Sequence, residues 1–182
     1  MKNMEEKMIT TQSTKISMSE MVMPNDTNNL NTLFGGKLMY WMDMAAAICA
    51  HKHTNNVVVT ASVDNITFKA PIHKGDIVTL NAFITRVFNT SMEVFIEVTA
   101  EKGFKGVAQN SNKKEKIESN TAFFTFVALN EKGKPVKVNE IYPENKNDKK
   151  LFDGALRRRQ LRLILAGKMK PEDAGELKSI FN

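Results

Sequence analysis

The stretch from residue 37 to residue 51 constrains the fold of this chain more than any other feature. It contains no glycine or proline and is rich in Met, Ala and Leu, which favour a helix. Because it is apolar almost all the way round, we expect a helix that is buried rather than one that lies on a surface. A chain of 182 residues with 42% apolar side chains is large enough to enclose that helix in a single domain. The longest unbroken apolar run, residues 44–50, is too short to span a membrane.

The sequence pattern changes after this helix. Four segments rich in Val, Ile, Thr and Phe follow it, and parts of them alternate between apolar and polar residues, as strands do. These predicted strands span residues 57–68, 77–87, 92–101 and 117–129, and a further strand is predicted before the helix over residues 15–23. Short links with turn-forming residues indicate an antiparallel meander. The predicted fold class is therefore α+β, with a sheet that wraps a central helix.

A charged extension follows the last predicted strand. Nine basic and two acidic residues fall between positions 146 and 170, so this segment carries +7 and the rest of the chain −1. Residues 145–166 are predicted to form a helix that Gly167 ends, and Pro171 opens a short final helix. We predict an N-terminal arm (residues 1–12), one domain (13–130) and a basic helical extension (131–182).

The extension is predicted to cap the sheet or contact a neighbouring subunit, and not to bind nucleic acid. Apolar residues are interleaved with its charges and lie near one face of the predicted helix: Phe152, Leu156, Leu163 and Ile164. The folded body, in contrast, is close to neutral, so the basic excess belongs to the extension.

The cysteine content and the N-terminus indicate the compartment. The single cysteine, Cys49, excludes an internal disulfide and is typical of a reducing cytoplasm. The first 18 residues lack the apolar middle of a signal peptide, so a cytoplasmic location is predicted. Cys49, His51 and His53 cluster at the end of the helix, but they match no metal-binding motif, and no metal site is predicted.

Asp43 is the most informative residue of the chain. It is the only acid in a helix that is otherwise suited to burial. An ionised carboxylate in apolar surroundings costs several kcal/mol unless it is paired, or it takes up a proton. The carboxylate is therefore either satisfied by a structural hydrogen bond or used for its altered basicity, and the local pattern leaves both interpretations open.

Two further features precede Asp43. Gly35 and Gly36 come immediately before the predicted helix, where the first N–H groups lack intrahelical partners and can stabilise an oxyanion. An ordinary turn into the helix is the alternative interpretation. Asn28 lies 15 residues before Asp43 in a turn-rich loop and can orient water or bond a carbonyl, although asparagine is also a common turn residue.

These segments together resemble the hot-dog-fold acyl-coenzyme A thioesterases. The resemblance covers residues 21–101 without a gap, and its motifs stand in the order 24–28 (PNDTN), 33–39 (LFGGKLM), 41–43 (WMD), 59–64 (VTASVD), 71–76 (PIHKGD) and 90–94 (TSMEV). The family implies a curved antiparallel sheet around a central helix. It also implies homodimers with active sites at the shared interface, which assemble further into hexamers as trimers of dimers.

The resemblance also implies a role for each candidate residue. Asp43 would activate water or attack the thioester, and Asn28 of the opposite subunit would orient the water or the substrate. The N–H of Gly36 would polarise the thioester carbonyl. Many relatives carry His before the two glycines, whereas this chain has Phe34, which we expect to alter substrate preference rather than the reaction.

The predicted substrate is an acyl-coenzyme A, and no cofactor or metal is predicted, because hydrolysis needs only a base, an oxyanion donor and a dry slot. The residues predicted to bind the coenzyme are Gly35, Ser62, Asn89, Thr90, Ser91, Lys113 and Lys114.

Two alternative functions belong to the same fold. Enoyl-thioester dehydratases need a histidine paired with an acid, and no such site is recognised in the sequence. An acyl-coenzyme A sensor that regulates transcription needs a helix-turn-helix, and the residues before the first predicted strand are too few to supply one.

Overall fold

The computed structural model of the protein describes residues 8–103 and 116–179. The helices and strands are β1 (Ile16–Met21), α1 (Gly35–Thr54), β2 (Val57–Phe68), β3 (Ile77–Val87), β4 (Ser91–Glu101), β5 (Lys116–Leu129), α2 (Lys146–Leu165) and α3 (Gly175–Lys178). Short 3-10 turns lie at Gln12–Thr14, Pro24–Asp26 and Pro171–Asp173.

The predicted α+β hot-dog fold is confirmed. The five described strands form one antiparallel sheet in the order β1-β3-β4-β5-β2, and α1 contacts all five of them. We call the face of the sheet that packs on α1 the inner face and the opposite face the outer face.

The prediction of a simple meander is wrong for β2. Strands β3, β4 and β5 follow one another as expected, but β2 pairs with β5 instead of β3. The physical reason is the position of α1, which crosses the inner face and carries the chain from β1 at one edge to β2 at the other. Strand β1 already occupies the free edge of β3, so β2 has a single neighbour and forms an edge of the described sheet.

Side-chain alternation in β4 shows how the two faces differ. Val94, Ile96 and Val98 point to the inner face and are fully buried against the core around α1. Glu93 points the other way and is also fully buried, because α2 covers it. The predicted role of the extension as a cap on the sheet therefore matches the position of α2 on the outer face.

Helix boundaries differ from the predictions mainly at the two ends of α1. The helix begins at Gly35, so the two glycines form its first turn instead of preceding it, and it ends at Thr54. Helix α2 lies within one residue of its predicted bounds, and Gly167 follows it with a φ of +66° that favours glycine. Among the residues that the structure describes, neither α1 nor any other helix is long and apolar enough to cross a membrane.

Candidate active site

Asp43 lies on α1 and is held by one hydrogen bond from β2. The hydroxyl of Thr60 donates to Oδ1 of Asp43 over 2.7 Å, and the carboxylate is half-buried. Within the described residues, Oδ2 has no hydrogen-bond partner. The carboxylate is therefore fixed in orientation while one oxygen stays available for a proton.

The contribution of Thr60 was missed by the sequence analysis, although the residue lies in one of the family motifs. Thr60 pairs in register with Phe126, whose side chain belongs to the core under α1, so Thr60 also faces the helix. The signal that could have revealed it is strand alternation: once β2 is placed beside α1, every second side chain of the strand points at the helix.

The first turn of α1 presents unused N–H groups. The N–H groups of Lys37 and Leu38 both donate to the carbonyl of Phe34, whereas within the described residues those of Gly35 and Gly36 have no acceptor. Gly36 and Asp43 are seven residues apart and lie on the same face of the helix, about 10 Å apart along its axis. Because helical side chains lean toward the N-terminus, we expect the carboxylate of Asp43 to lie on the Gly36 side of its own Cα atom.

Two aromatic rings flank these glycines. A Cβ atom on Gly36 would lie 2.7 Å from a ring carbon of Phe34, and one on Gly35 would lie 3.5 Å from the ring of Phe68. A side chain at position 36 would therefore push the Phe34 ring aside. Both rings are more than half exposed and give the start of α1 an apolar surrounding.

A cavity of about 350 Å³ opens beside the same helix start. Its apolar lining includes Leu38, Phe68 and Ile72, and Ser119 and Asn120 form part of its wall. The amide of Asn120 donates to the carbonyl of Thr67 over 2.7 Å, so this polar part of the wall is satisfied within the chain. Gly35 also lines the cavity, which therefore has space for an apolar group beside the first turn of α1.

The loop that carries Asn28 is tied to the start of α1 through Asp26. The N–H of Phe34 donates to the carbonyl of Asp26 over 2.9 Å, and a carboxylate oxygen of Asp26 lies 3.1 Å from the Lys37 ammonium. Burial opposes the ionisation of Asp26, but hydrogen bonds from the Met23 N–H and from Lys37 lower its pKa below the usual value. The Asp26 carboxylate is thus charged at neutral pH and ties the loop to the start of α1.

The side chain of Asn28 is exposed, and the oxygen of its amide is hydrogen-bonded within the loop. Its side-chain oxygen accepts hydrogen bonds from the N–H of Leu30 over 2.9 Å and from the hydroxyl of Thr32 over 3.1 Å. Within the described residues, its NH2 group has no acceptor. The loop therefore presents a fixed amide donor, and no contact joins it to Asp43 of the same chain.

The predicted coenzyme-binding residues are scattered. Ser62 lies on the outer face, where it pairs with Thr125 and its hydroxyl is buried. In the turn between β3 and β4, the carbonyls of Asn89 and Thr90 accept hydrogen bonds from Val138 and Ala128, which fastens the turn to other parts of the chain.

The other four of these residues complete the set. Ser91 begins β4 and is half-buried, and Gly35 lies in the first turn of α1. Lys113 and Lys114 lie outside the described residues.

Cys49, His51 and His53 each contact a different backbone carbonyl and do not converge on one point. Cys49 donates to the carbonyl of Thr14 over 3.3 Å, and ring nitrogens of His51 and His53 lie 2.9 Å from the carbonyls of Asn56 and Asn139, respectively. In the part of the chain that the structure describes, no group of three His, Cys, Asp or Glu side chains is arranged to hold a metal ion.

The exposed part of α1 departs from the prediction of a buried helix. Four of its large apolar side chains are exposed on the side of the helix that also bears Asp43, namely Met39, Tyr40, Met44 and Ile48. Strand β2 also has three exposed valines, of which Val57 and Val59 lie on the outer face and Val63 on the inner face. Exposed apolar side chains grouped on one side of a helix, as on α1, mark an interaction site.

Comparison with known proteins identifies relatives of the chain. Residues 30–106 match the model of the thioesterase superfamily. The uncharacterized acyl-CoA thioester hydrolase YkhA of Bacillus subtilis is 42% identical over 144 residues, which cover 79% of each chain.

Solved structures agree with this result. A hexameric acyl-CoA thioesterase in its apo form is 35% identical, has a TM-score of 0.78, and is matched over 86% of this chain and 96% of that one. The acyl-CoA hydrolase of Staphylococcus aureus, solved in complex with butyryl coenzyme A, coenzyme A and coenzyme A disulfide, is 35% identical with a TM-score of 0.76. That match covers 88% of this chain and 95% of the S. aureus chain.

Proposed function

This chain belongs to the acyl-CoA thioester hydrolases of the thioesterase superfamily, and on that basis we propose that it cleaves acyl-coenzyme A to a free carboxylic acid and coenzyme A at Asp43. The observation that carries the assignment is the arrangement of α1. A fixed carboxylate with one free oxygen lies two helical turns from unused N–H groups, beside an apolar cavity.

The proposed reaction uses only groups of the protein. The thioester carbonyl oxygen accepts a hydrogen bond from the Gly36 N–H, which stabilises the negative charge of the tetrahedral intermediate. Asp43 either takes a proton from water as the water oxygen attacks the carbonyl carbon, or attacks that carbon itself. The carbon–sulfur bond then breaks, and the sulfur of the coenzyme takes up a proton and leaves as a thiol. In the first route that proton is the one that Asp43 took from water. In the second route the acyl group is left on Asp43 as an anhydride, and water hydrolyses it, which releases the carboxylic acid, regenerates the Asp43 carboxylate and supplies the proton. No cofactor enters this scheme.

We further propose that the site is completed by a second copy of the chain. Asp43 lies among exposed apolar side chains of α1, and next to them β2 forms an edge of the sheet of described strands. A second copy related by a two-fold axis would cover both surfaces at once, because an isologous contact uses the same patch twice. The free NH2 group of the partner's Asn28 would then reach the site of Asp43. Three such dimers would form a hexamer, the assembly of the apo thioesterase described above.

Coenzyme contacts at Gly35, in the Asn89–Ser91 turn and at Lys113 and Lys114 stay predictions. Ser62 is the weakest of the set, because its hydroxyl faces away from Asp43. A cytoplasmic location likewise stays a prediction.

A free-thiol release assay with acyl-coenzyme A substrates from acetyl to palmitoyl tests the proposal. Asp43→Asn keeps the shape of the side chain but removes its basicity, so turnover should fall by ~10²-fold or more. The matched control is Asp153→Asn, which changes an exposed acid paired with Lys149 at 3.1 Å and should leave turnover unchanged.

Two results would contradict the proposal. Near-normal turnover of the folded Asp43→Asn variant would remove Asp43 from the mechanism. Tight binding of every acyl-coenzyme A without release of thiol by the wild-type protein would indicate a sensor instead of an enzyme.

A further inference from the structure

Backbone pairing holds strand β2 weakly close to Thr60. Strand β2 has one neighbour in the described sheet, and its register with β5 shifts twice, between Thr60 and Ser62 and between Asp64 and Thr67. Only three paired residues lie between these irregularities. Since a bulge interrupts the ladder and increases the local twist, backbone pairing alone fixes this part of the strand less firmly than the rest.

An ion pair reaches this segment from the outer face. Nη1 of Arg162 on α2 lies 2.7 Å from Oδ2 of Asp64, and the two side chains are only 18% and 24% exposed. A short, charge-assisted hydrogen bond in a partly buried setting restrains its partners more than an exposed surface pair does.

Arg162 is itself held in place by the neighbouring turn of α2. Arg158, four residues earlier, donates to both carboxylate oxygens of the fully buried Glu93 over 2.7 and 3.0 Å. Its guanidinium also lies 3.8 Å from the ring centroid of Phe123, the residue that pairs in register with Asp64. Helix α2 therefore links the central strand β4 to the edge strand β2 across β5.

The restrained segment adjoins the catalytic carboxylate. Thr60 immediately precedes the first irregularity, faces the inner side of the sheet and donates to Asp43 over 2.7 Å. Asp64 faces the outer side, four residues further along the same strand. If the irregularity moved by one residue, Thr60 would turn away from α1, because neighbouring side chains of a strand point to opposite faces.

We propose that Asp64 and Arg162 are positioning residues of the active site, which fix the irregular segment of β2 so that the Thr60 hydroxyl stays directed at Asp43. The inference rests on the proposed function, since it assigns the pair a role in the reaction at Asp43. It gives the basic extension a part in catalysis without contact with the substrate.

The test compares kcat and KM of Asp64→Asn and Arg162→Gln with those of Asp153→Asn, which removes an exposed ion pair of the same helix. We expect kcat to fall about 10-fold or more in the first two variants with little change in KM, because a displacement of ~1 Å can cost up to ~10²-fold in rate. The control variant should keep the wild-type kcat. Circular dichroism and size-exclusion chromatography establish that each variant is folded and assembled, and Arg162→Gln serves if Asp64→Asn does not fold.

A double-mutant cycle separates positioning from a general structural role. In a Thr60→Val background, Asp64→Asn should lower kcat no further, because the hydrogen bond that the pair protects is already gone. Independent, multiplying effects of the two changes would overturn the inference, as would a kcat within twofold of wild type in folded Asp64→Asn or Arg162→Gln. Loss of activity in Asp43→Asn together with normal activity in these variants would refute the inference alone and leave the proposed function intact.

Discussion

The two faces of the sheet are closed in different ways. On the outer face the chain supplies its own cover: α2 buries the carboxylate of Glu93 against Arg158 and places the Arg158 guanidinium over the ring of Phe123. The Phe123 ring belongs to a row with Phe95 and Phe83, whose successive centroids are 5.1 and 5.5 Å apart. On the inner face α1 covers the sheet, but its own far side stays exposed.

The two sides of the molecule also differ in the role of their charged side chains. Arg158 and Arg162 of the extension are paired with acids of the sheet, so two of the nine basic residues between positions 146 and 170 serve attachment. The exposed side of α1 bears Asp43 among apolar side chains, and this is the surface that the proposed second copy would cover. On this proposal, the surface that the chain covers itself contributes stability, and the surface that a second copy completes provides the site.

Breaking the outer face should have the largest effect on stability. Arg158→Met leaves Glu93 buried without its partner, and removal of one member of a buried pair typically costs about 3–5 kcal/mol. Urea unfolding at fixed protein concentration measures this change. Lys149→Met, which removes an exposed pair, should cost at most about 1 kcal/mol.

A second variant sharpens this prediction. In Glu93→Met with Arg158→Met, no charge is left buried, so much of the lost stability should return. Equal losses for Arg158→Met and Lys149→Met would mean that the outer face does not depend on the Glu93 pair.

The proposal that two copies of the chain form one site around Asp43 can be tested by mixing two inactive proteins. Asn28→Ala and Asp43→Ala oligomers should each be nearly inactive, and exchange of chains by unfolding and refolding gives dimers with both lesions in one site and none in the other. With random pairing half of the dimers are mixed, so about a quarter of the wild-type activity should return. If mass analysis shows mixed oligomers but activity stays at the level of the single mutants, Asn28 and Asp43 serve the same subunit's site.

The smallest effect is expected at Cys49, in the core behind the site. Burial is the main cause that raises the pKa of its thiol to about 12, and the thiol donates to the carbonyl of Thr14. Since the reactive thiolate is scarce below that pH, iodoacetamide at pH 8 should leave the native protein unmodified and label one thiol per chain after unfolding. Mass spectrometry measures the extent of labelling over time. If the native protein were labelled as fast as the unfolded chain, the burial of Cys49 would be contradicted.

The elements of the fold were largely predictable because their signals are local. Helix formers without Gly or Pro predicted α1, and Val, Ile, Thr and Phe segments predicted β2 to β5 within a few residues. The order of strands was not predictable in the same way. Whether β2 lies beside β3 or beside β5 depends on the path of α1 across the sheet, which no local pattern encodes.

The candidate site shows the same division. By itself the sequence determined that a lone acid, Asp43, stands in an apolar helix behind two glycines, and that the segments around it resemble those of a thioesterase. Only the tertiary structure decided that Thr60 holds this acid, that Ser62 faces the other side of the sheet and that Arg162 reaches Asp64 from 98 residues away. Composition and periodicity act over a few residues, whereas these contacts arise from the packing of segments that are distant in the chain.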